Sequence, residues 1–119
     1  MKILIIEDEI LIQQSLKKLL IRRGCEAWTA SSGQEALTLI EAQEFDRIVC
    51  DLMLQDITGF DIIEESKKKY DENKIKECFI IMTAYSSEQV LSKAREYGCV
   101  ILNKPFDLEQ ALKIITAKG

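Results

Sequence analysis

No histidine occurs anywhere in the 119 residues. That single absence removes Ser-His and Cys-His nucleophile pairs, HExxH zinc sites and imidazole general bases together. Any chemistry must run on carboxylates, hydroxyls, lysines or a metal. The four cysteines (Cys25, Cys50, Cys78 and Cys99) include no CxxC pair, so their spacing makes no zinc motif. Three of them adjoin apolar segments, where small buried hydrophobes with free thiols are expected. No apolar stretch approaches the roughly 18 residues of a membrane span, and the opening MKILIIEDE lacks a signal-peptide layout; a cytoplasmic location is expected. There is no basic stripe either. The net charge is −4, and the longest cationic run, KKK at 67–69, falls where a solvated helix face is expected. This charge pattern weighs against a nucleic-acid-binding surface. Internal repeats, linkers and low-complexity segments are also missing.

What is present is an ordinary globular composition, 47% hydrophobic and 30% charged, in a length that suits one domain over 1–119. Two periodicities alternate along it. KILIIE (2–7) is a continuous apolar run of the kind a strand covered on both faces shows. Ile12, Leu16, Leu19 and Leu20 then follow helical spacing, and Gly24 stops them. CEAWTA (25–30) reads as the second strand, and Ser32 with Glu35 forms a capping-box start for a helix over about 33–43. DRIVC (46–50) predicts strand three, followed by a helix from about Gly59 to Tyr70, then ECFIIMT (77–83) as strand four. Ser86 with Gln89 opens a helix to Tyr97 that Gly98 ends, and CVIL (99–102) is strand five. The last helix starts at the N-cap Asp107 and carries Leu108, Ala111, Leu112 and Ile115 on one stripe. Five strands alternating with five helices predict a doubly wound α/β fold, a parallel sheet with helices on both faces.

In open α/β sheets, ligands bind outside the carboxyl ends of the strands. Strand one ends in Glu7-Asp8-Glu9, strand two in Ala30-Ser31-Ser32, strand three at Asp51, strand four at Thr83 and strand five at Asn103-Lys104-Pro105. Taken singly, each has a plain structural alternative: a first helical turn for the acids, a cap for Thr83, a loop for Lys104, and an ion pair for Asp51. Taken together, three or more acids, a hydroxyl and a lysine meet at one sheet edge. Clustered carboxylates call for a cation, and ligation by oxygen alone selects a hard ion, Mg²⁺ above all. Mg²⁺ bound by few carboxylates implies a phosphoryl ligand, which the lysine and hydroxyl can hold. One carboxylate can then act as nucleophile and form an acyl phosphate.

Glu7-Asp8, Asp51, Thr83-Ala84 and Lys104-Pro105-Phe106, at those strand ends, closely resemble the receiver domain of two-component response regulators, the chemotaxis type included. The resemblance runs from Lys2 to about Ala117. It implies a flavodoxin-like strand order 2-1-3-4-5. It also implies phosphorelay signalling, in which Asp51 accepts a phosphoryl group from a phosphohistidine on a sensor histidine kinase or phosphotransfer protein. Asp8, Asp51, Glu7 and the main-chain carbonyl of Met53 would hold Mg²⁺; Lys104 would pair with the phosphoryl group and Thr83 would swing in to bond it. That swing would shift the face formed by strand four, helix four, strand five and helix five, which carries output to a further domain or downstream protein. Dimerisation through the fourth and fifth helices is common among members. Three departures stand out: Gln55 where members commonly have proline, which predicts a looser loop; Ile101 where many have an aromatic switch residue; and bulky Met53 and Tyr85 flanking the acceptor, which predict slow autodephosphorylation. A Mg²⁺-dependent phosphatase with an aspartyl nucleophile is the enzymatic alternative, but it would want an acid at position 53. A pure interaction module would have lost Asp51, Asp8 or Lys104. A signalling domain rather than a dedicated enzyme is therefore expected.

Overall fold

The computed structural model describes residues 1–117. Its order is β1 (Lys2–Ile6), α1 (Ile10–Arg22), β2 (Glu26–Ala30), α2 (Gly33–Ala42), β3 (Arg47–Asp51), α3 (Gly59–Ser66), α4 (Glu72–Cys78), β4 (Phe79–Thr83), α5 (Glu88–Tyr97), β5 (Val100–Asn103) and α6 (Leu108–Thr116). The strands form one parallel sheet in the order β2-β1-β3-β4-β5, as expected.

Strand alternation divides the core in two. Leu4, Ile6, Ile48, Cys50, Phe79 and Ile81 point to one face, where Ala36 and Ile40 of α2, Ile62 and Ile63 of α3, and Ile75 and Cys78 of α4 cover them. Ile3, Ile5, Val49, Ile80 and Met82 point to the other, under Leu16 and Leu20 of α1 and Ala111, Leu112 and Ile115 of α6. Burial on both faces explains why these strands read as unbroken apolar runs. All four cysteines carry free thiols, with Cys50 and Cys78 fully buried.

The structure departs from the sequence expectations in four places. A sixth helix, α4, occupies Glu72–Cys78, so β4 begins at Phe79 rather than at residue 77, and the expected fourth and fifth helices are α5 and α6. Helix α3 ends at Ser66, whose hydroxyl bonds back to the Ile62 carbonyl at 2.7 Å, and turns continue to Tyr70. The cap of α5 is Ser87, accepting from the Val90 N–H, rather than Ser86. Finally, the KKK run lies in turns beyond α3 rather than on a helix face; its lysines are exposed as expected, and Lys69 Nζ donates to the Ile40 and Gln43 carbonyls at 2.7 and 3.0 Å. It thereby satisfies orphan acceptors at the C-terminus of α2, where a cation is also favoured by the helix dipole.

Candidate functional site

Register alone brings the acids and the lysine together. Ile6 pairs with Cys50, which sets Glu7 level with Asp51. Asp51 pairs with Met82, and Thr83 with Asn103, so Thr83 and Lys104 follow one step further along the same edge. The Lys104 N–H extends this pairing to the Thr83 carbonyl at 2.8 Å.

The result is a rim lined by Asp8, Glu9, Asp51, Met53, Gln55, Thr83, Ala84, Tyr85 and Lys104 around a cavity of about 460 Å³. Glu7 lies beneath it, fully buried, and Asp51 is 8% exposed. One carboxylate oxygen from each of Glu7, Asp8 and Asp51 lies within 4.8 Å of the others. The only ammonium offsetting them among the described residues is that of Lys104, 2.6 Å from Glu7 Oε1 and 3.4 Å from Asp51 Oδ2. The lysine therefore rests on Glu7 more closely than on Asp51.

The electrostatics follow from this crowding. Burial raises the Glu7 carboxyl above its ordinary range, and the Asp51 charge adds to that, against the lowering hydrogen bonds from Lys104 and the Glu9 N–H. Burial, then contact with Glu7, raises Asp8 as well. For Lys104, burial alone would lower the ammonium, but the hydrogen bond to Glu7 and the charges of Asp51 and Glu7 outweigh it, and the net direction is upward. Groups pushed away from their ordinary range in a shared cleft mark functional sites more often than chance allows. Cys50, beside Asp51, is no competing nucleophile: burial first, then the Asp51 and Glu7 charges, raise its thiol far above the ordinary range, so no thiolate forms.

Thr83 belongs to the rim, but its hydroxyl is engaged by backbone rather than by the acids. Oγ1 accepts from the Tyr85 N–H at 2.8 Å and donates to the Tyr85 carbonyl at 3.1 Å, closing a small turn after β4. Met53 stands two residues beyond Asp51, its backbone bridged to Thr58 and its N–H 3.4 Å from Asp51 Oδ1. Met53 and Tyr85 are 53% and 64% exposed and stand at the mouth. Ile101 packs at the edge of the core, and the aromatic pair on that flank is Phe60 stacked on Tyr97, centroids 5.8 Å apart.

Two residues had no place in the sequence expectations. The loop after β3, expected to be loose without a proline, is tied down by Asp56, whose carboxylate accepts from the Gly33 and Gln34 N–H groups at 2.9 Å each. Those backbone donors at the start of α2 lower its carboxyl. Gln13 of α1 is 3% exposed and lies against the backbone behind the acids. Its signal was readable: it shares one stripe with the buried Leu16 and Leu20, where a polar side chain needs partners.

The donor set is oxygen only, which suits a hard divalent cation and no soft one. No helix among the described residues is long and apolar enough to cross a membrane.

Comparison with known proteins gives a consistent result. The family described as the response regulator receiver domain matches residues 3–116. The chain is 30% identical to sporulation initiation phosphotransferase F of Bacillus subtilis over 110 residues, covering 92% of this chain and 86% of that protein. It is also 30% identical to the probable transcriptional regulator ycf29 of Pyropia yezoensis, covering 96% of this chain but 51% of that protein. The chain thus spans about half the length of the ycf29 relatives. Among solved structures, the non-phosphorylated HemR receiver domain from Leptospira biflexa superposes with a TM-score of 0.85 at 30% identity, over 99% of this chain and 96% of that one. The Vibrio cholerae chemotaxis protein CheY4 gives 0.82 at 28% identity, over 95% and 93%.

Proposed function

The chain belongs to the response-regulator receiver family and is a domain of two-component phosphorelay signalling, and from that premise we propose that Asp51 is its phosphoacceptor, served by Glu7, Asp8, Met53, Thr83 and Lys104. The observation that carries this is the convergence of three carboxylates and one lysine on a single cleft. A phosphatase is not favoured: position 53, where such an enzyme would want an acid, is an exposed methionine.

In the proposed reaction an Asp51 carboxylate oxygen attacks the phosphorus of a partner's phosphohistidine. The O–P bond forms as the N–P bond breaks, and the imidazole departs with the bonding pair. Glu7, Asp8 and Asp51, with the Met53 carbonyl, are the residues that would hold Mg²⁺; bound there it supplies charge neutralisation for the crowded acids and phosphoryl oxygens. Lys104 starts on Glu7 and is drawn to the new phosphoryl group, which carries more negative charge than the carboxylate it replaces. The Thr83 hydroxyl must leave the Tyr85 backbone to donate to that group, and the β4–α5 turn moves with it. This makes Thr83 the link to the α5–β5–α6 face, and the domain a switch rather than a dedicated enzyme.

The donor is a histidine kinase or phosphotransfer protein in the cytoplasm. A cavity of about 510 Å³ beside Lys104, lined by Leu11, Ile12, Phe106 and Leu108, offers it an apolar seat next to the acceptor. Any output domain, downstream protein or homodimer would read the α5–β5–α6 face.

Intact-mass measurement after incubation with acetyl phosphate tests the proposal: one phosphoryl group should add with Mg²⁺ and none with the metal chelated. No addition under any metal condition would overturn it. Met53 and Tyr85 at the mouth predict a long-lived acyl phosphate, because their bulk limits water access to the phosphorus. Replacing both by alanine should shorten the lifetime, because water then reaches the phosphorus more freely. A wild-type lifetime of only seconds would contradict this part.

A further inference from the structure

We infer that Gln13 is a positioning residue for the acidic cluster, acting through the Glu7–Asp8 peptide. The inference rests on the proposed cation site, which it deepens.

The Gln13 carboxamide nitrogen donates to the Glu7 carbonyl at 2.9 Å, the Ser31 hydroxyl at 3.1 Å and the Ala30 carbonyl at 3.3 Å. Its oxygen accepts from Gln14 Nε2 at 2.9 Å. Two carbonyls around one atom require a donor there, which fixes the orientation of the amide. The Ala30 carbonyl also receives the Glu7 N–H at 3.0 Å. Both backbone polar groups of Glu7 are thus pinned, one by β2 and the other by Gln13.

The consequence passes to Asp8 through covalent geometry. The carbonyl of Glu7 and the N–H and Cα of Asp8 belong to one peptide plane with little torsional freedom. Whatever holds the Glu7 carbonyl therefore fixes the N–Cα axis from which the Asp8 side chain leaves the backbone, with only rotation about that axis left free. The carboxylates of Glu7, Asp8 and Asp51 repel one another at their spacing, so the turn is under load in the absence of a cation. Gln13, buried on α1 and bonded to both the first and second strand ends, opposes that spreading. Partners behind a metal ligand commonly control affinity by orientation rather than contact.

The donor property of Gln13, not its charge or bulk, is what the geometry requires. Mg²⁺ alone, titrated by calorimetry into the full chain, separates these. Gln13→Leu removes the donor and should raise the dissociation constant by about tenfold. Gln13→Glu keeps the shape but sets an acceptor against two carbonyls; it should weaken binding too, although added negative charge would by itself tighten it. Gln13→Lys restores donors and should stay within about threefold of wild type, although added positive charge would by itself weaken it. Thermal unfolding of each variant without metal reports on folding separately. If Gln13→Glu tightens Mg²⁺ and Gln13→Lys weakens it, charge is the cause and the inference is overturned. Unchanged affinity with only a lower melting temperature assigns Gln13 a structural role and overturns it as well. A wild-type chain that binds no Mg²⁺ removes the cation site itself and this inference with it, an outcome distinct from wild-type binding that Gln13→Leu leaves untouched.

Discussion

Asp51→Asn is expected to reduce phosphoryl uptake from one group per chain to none, while making the metal-free domain more stable. Asparagine keeps the planar shape of the side chain but has no anionic oxygen with which to form an acyl phosphate. Stability should rise because Asp51, 8% exposed, sits in a cluster of three carboxylates with one ammonium. Like charges at such spacing repel one another. The stronger ion pair, Lys104 with Glu7 at 2.6 Å, survives the substitution. Relief of the repulsion is expected to be about 1 kcal/mol, or roughly 3–6 °C in the unfolding midpoint for a domain of this size. Mg²⁺ should then stabilise the variant less than wild type, for which saturation at one hundred times the dissociation constant is worth about 2.7 kcal/mol. Intact mass and thermal unfolding with and without Mg²⁺ check the three outcomes. Continued uptake of one phosphoryl group would place the acceptor elsewhere. A lower midpoint would make Asp51 a net structural partner of Lys104 instead of a strained charge.

The strands, their carboxyl ends and the acids that gather there were legible because parallel sheets write simple signals: apolar runs, then a break. Asp51 terminates one such run, and with the register known its neighbours follow without further information. Local competition hid the rest. Helix α4 has seven residues, and only Ile75 and Cys78 are buried, too few to show a 3.6-residue period beside the strand-like FIIMT. Its Asp71 cap, accepting from the Lys74 N–H, was the available signal. Ser86, with Gln89 three residues on, carries the stronger capping signal in sequence, yet the helix starts one residue later on Ser87. The contact of Lys69 with the last carbonyls of α2 is hidden in sequence because they lie 26 to 29 residues away. Asp56 was likewise invisible as a tether, since the α2 donors it bonds are 22 and 23 residues back. The absence of proline at Gln55 predicts a loose loop, yet its neighbour Asp56 supplies the stiffness.

Lys104→Met should lower the unfolding free energy of the metal-free chain by about 2–3 kcal/mol at neutral pH, toward the cost of breaking a buried ion pair by removing one partner. Glu7 has no exposure and the Lys104 side chain is 15% exposed, so solvent screens this pair little. The loss has a ceiling, because a buried carboxylate takes up a proton rather than remain charged and unpaired. Burial already raises the Glu7 carboxyl, and without the lysine its chief hydrogen-bonded counterion is gone. The sign of the pH dependence follows. An acid whose folded-state pKa lies above its unfolded value releases its proton more readily on unfolding, so the penalty is full above the folded pKa. Below the ordinary carboxylate range both states are protonated and the penalty vanishes. Urea denaturation of wild type and variant should therefore converge as the pH falls from neutral into the acid range. Adding Glu7→Gln to Lys104→Met should recover more than half of the loss, since it removes the charge left behind. A gap that ignores both pH and Glu7→Gln would assign the contribution of Lys104 to packing of its apolar stem. The same substitution should slow labelling by acetyl phosphate by about 100-fold, the scale of removing one positioned donor from a developing oxyanion. Stability and rate would then trace to one ammonium that rests on Glu7 and acts at Asp51.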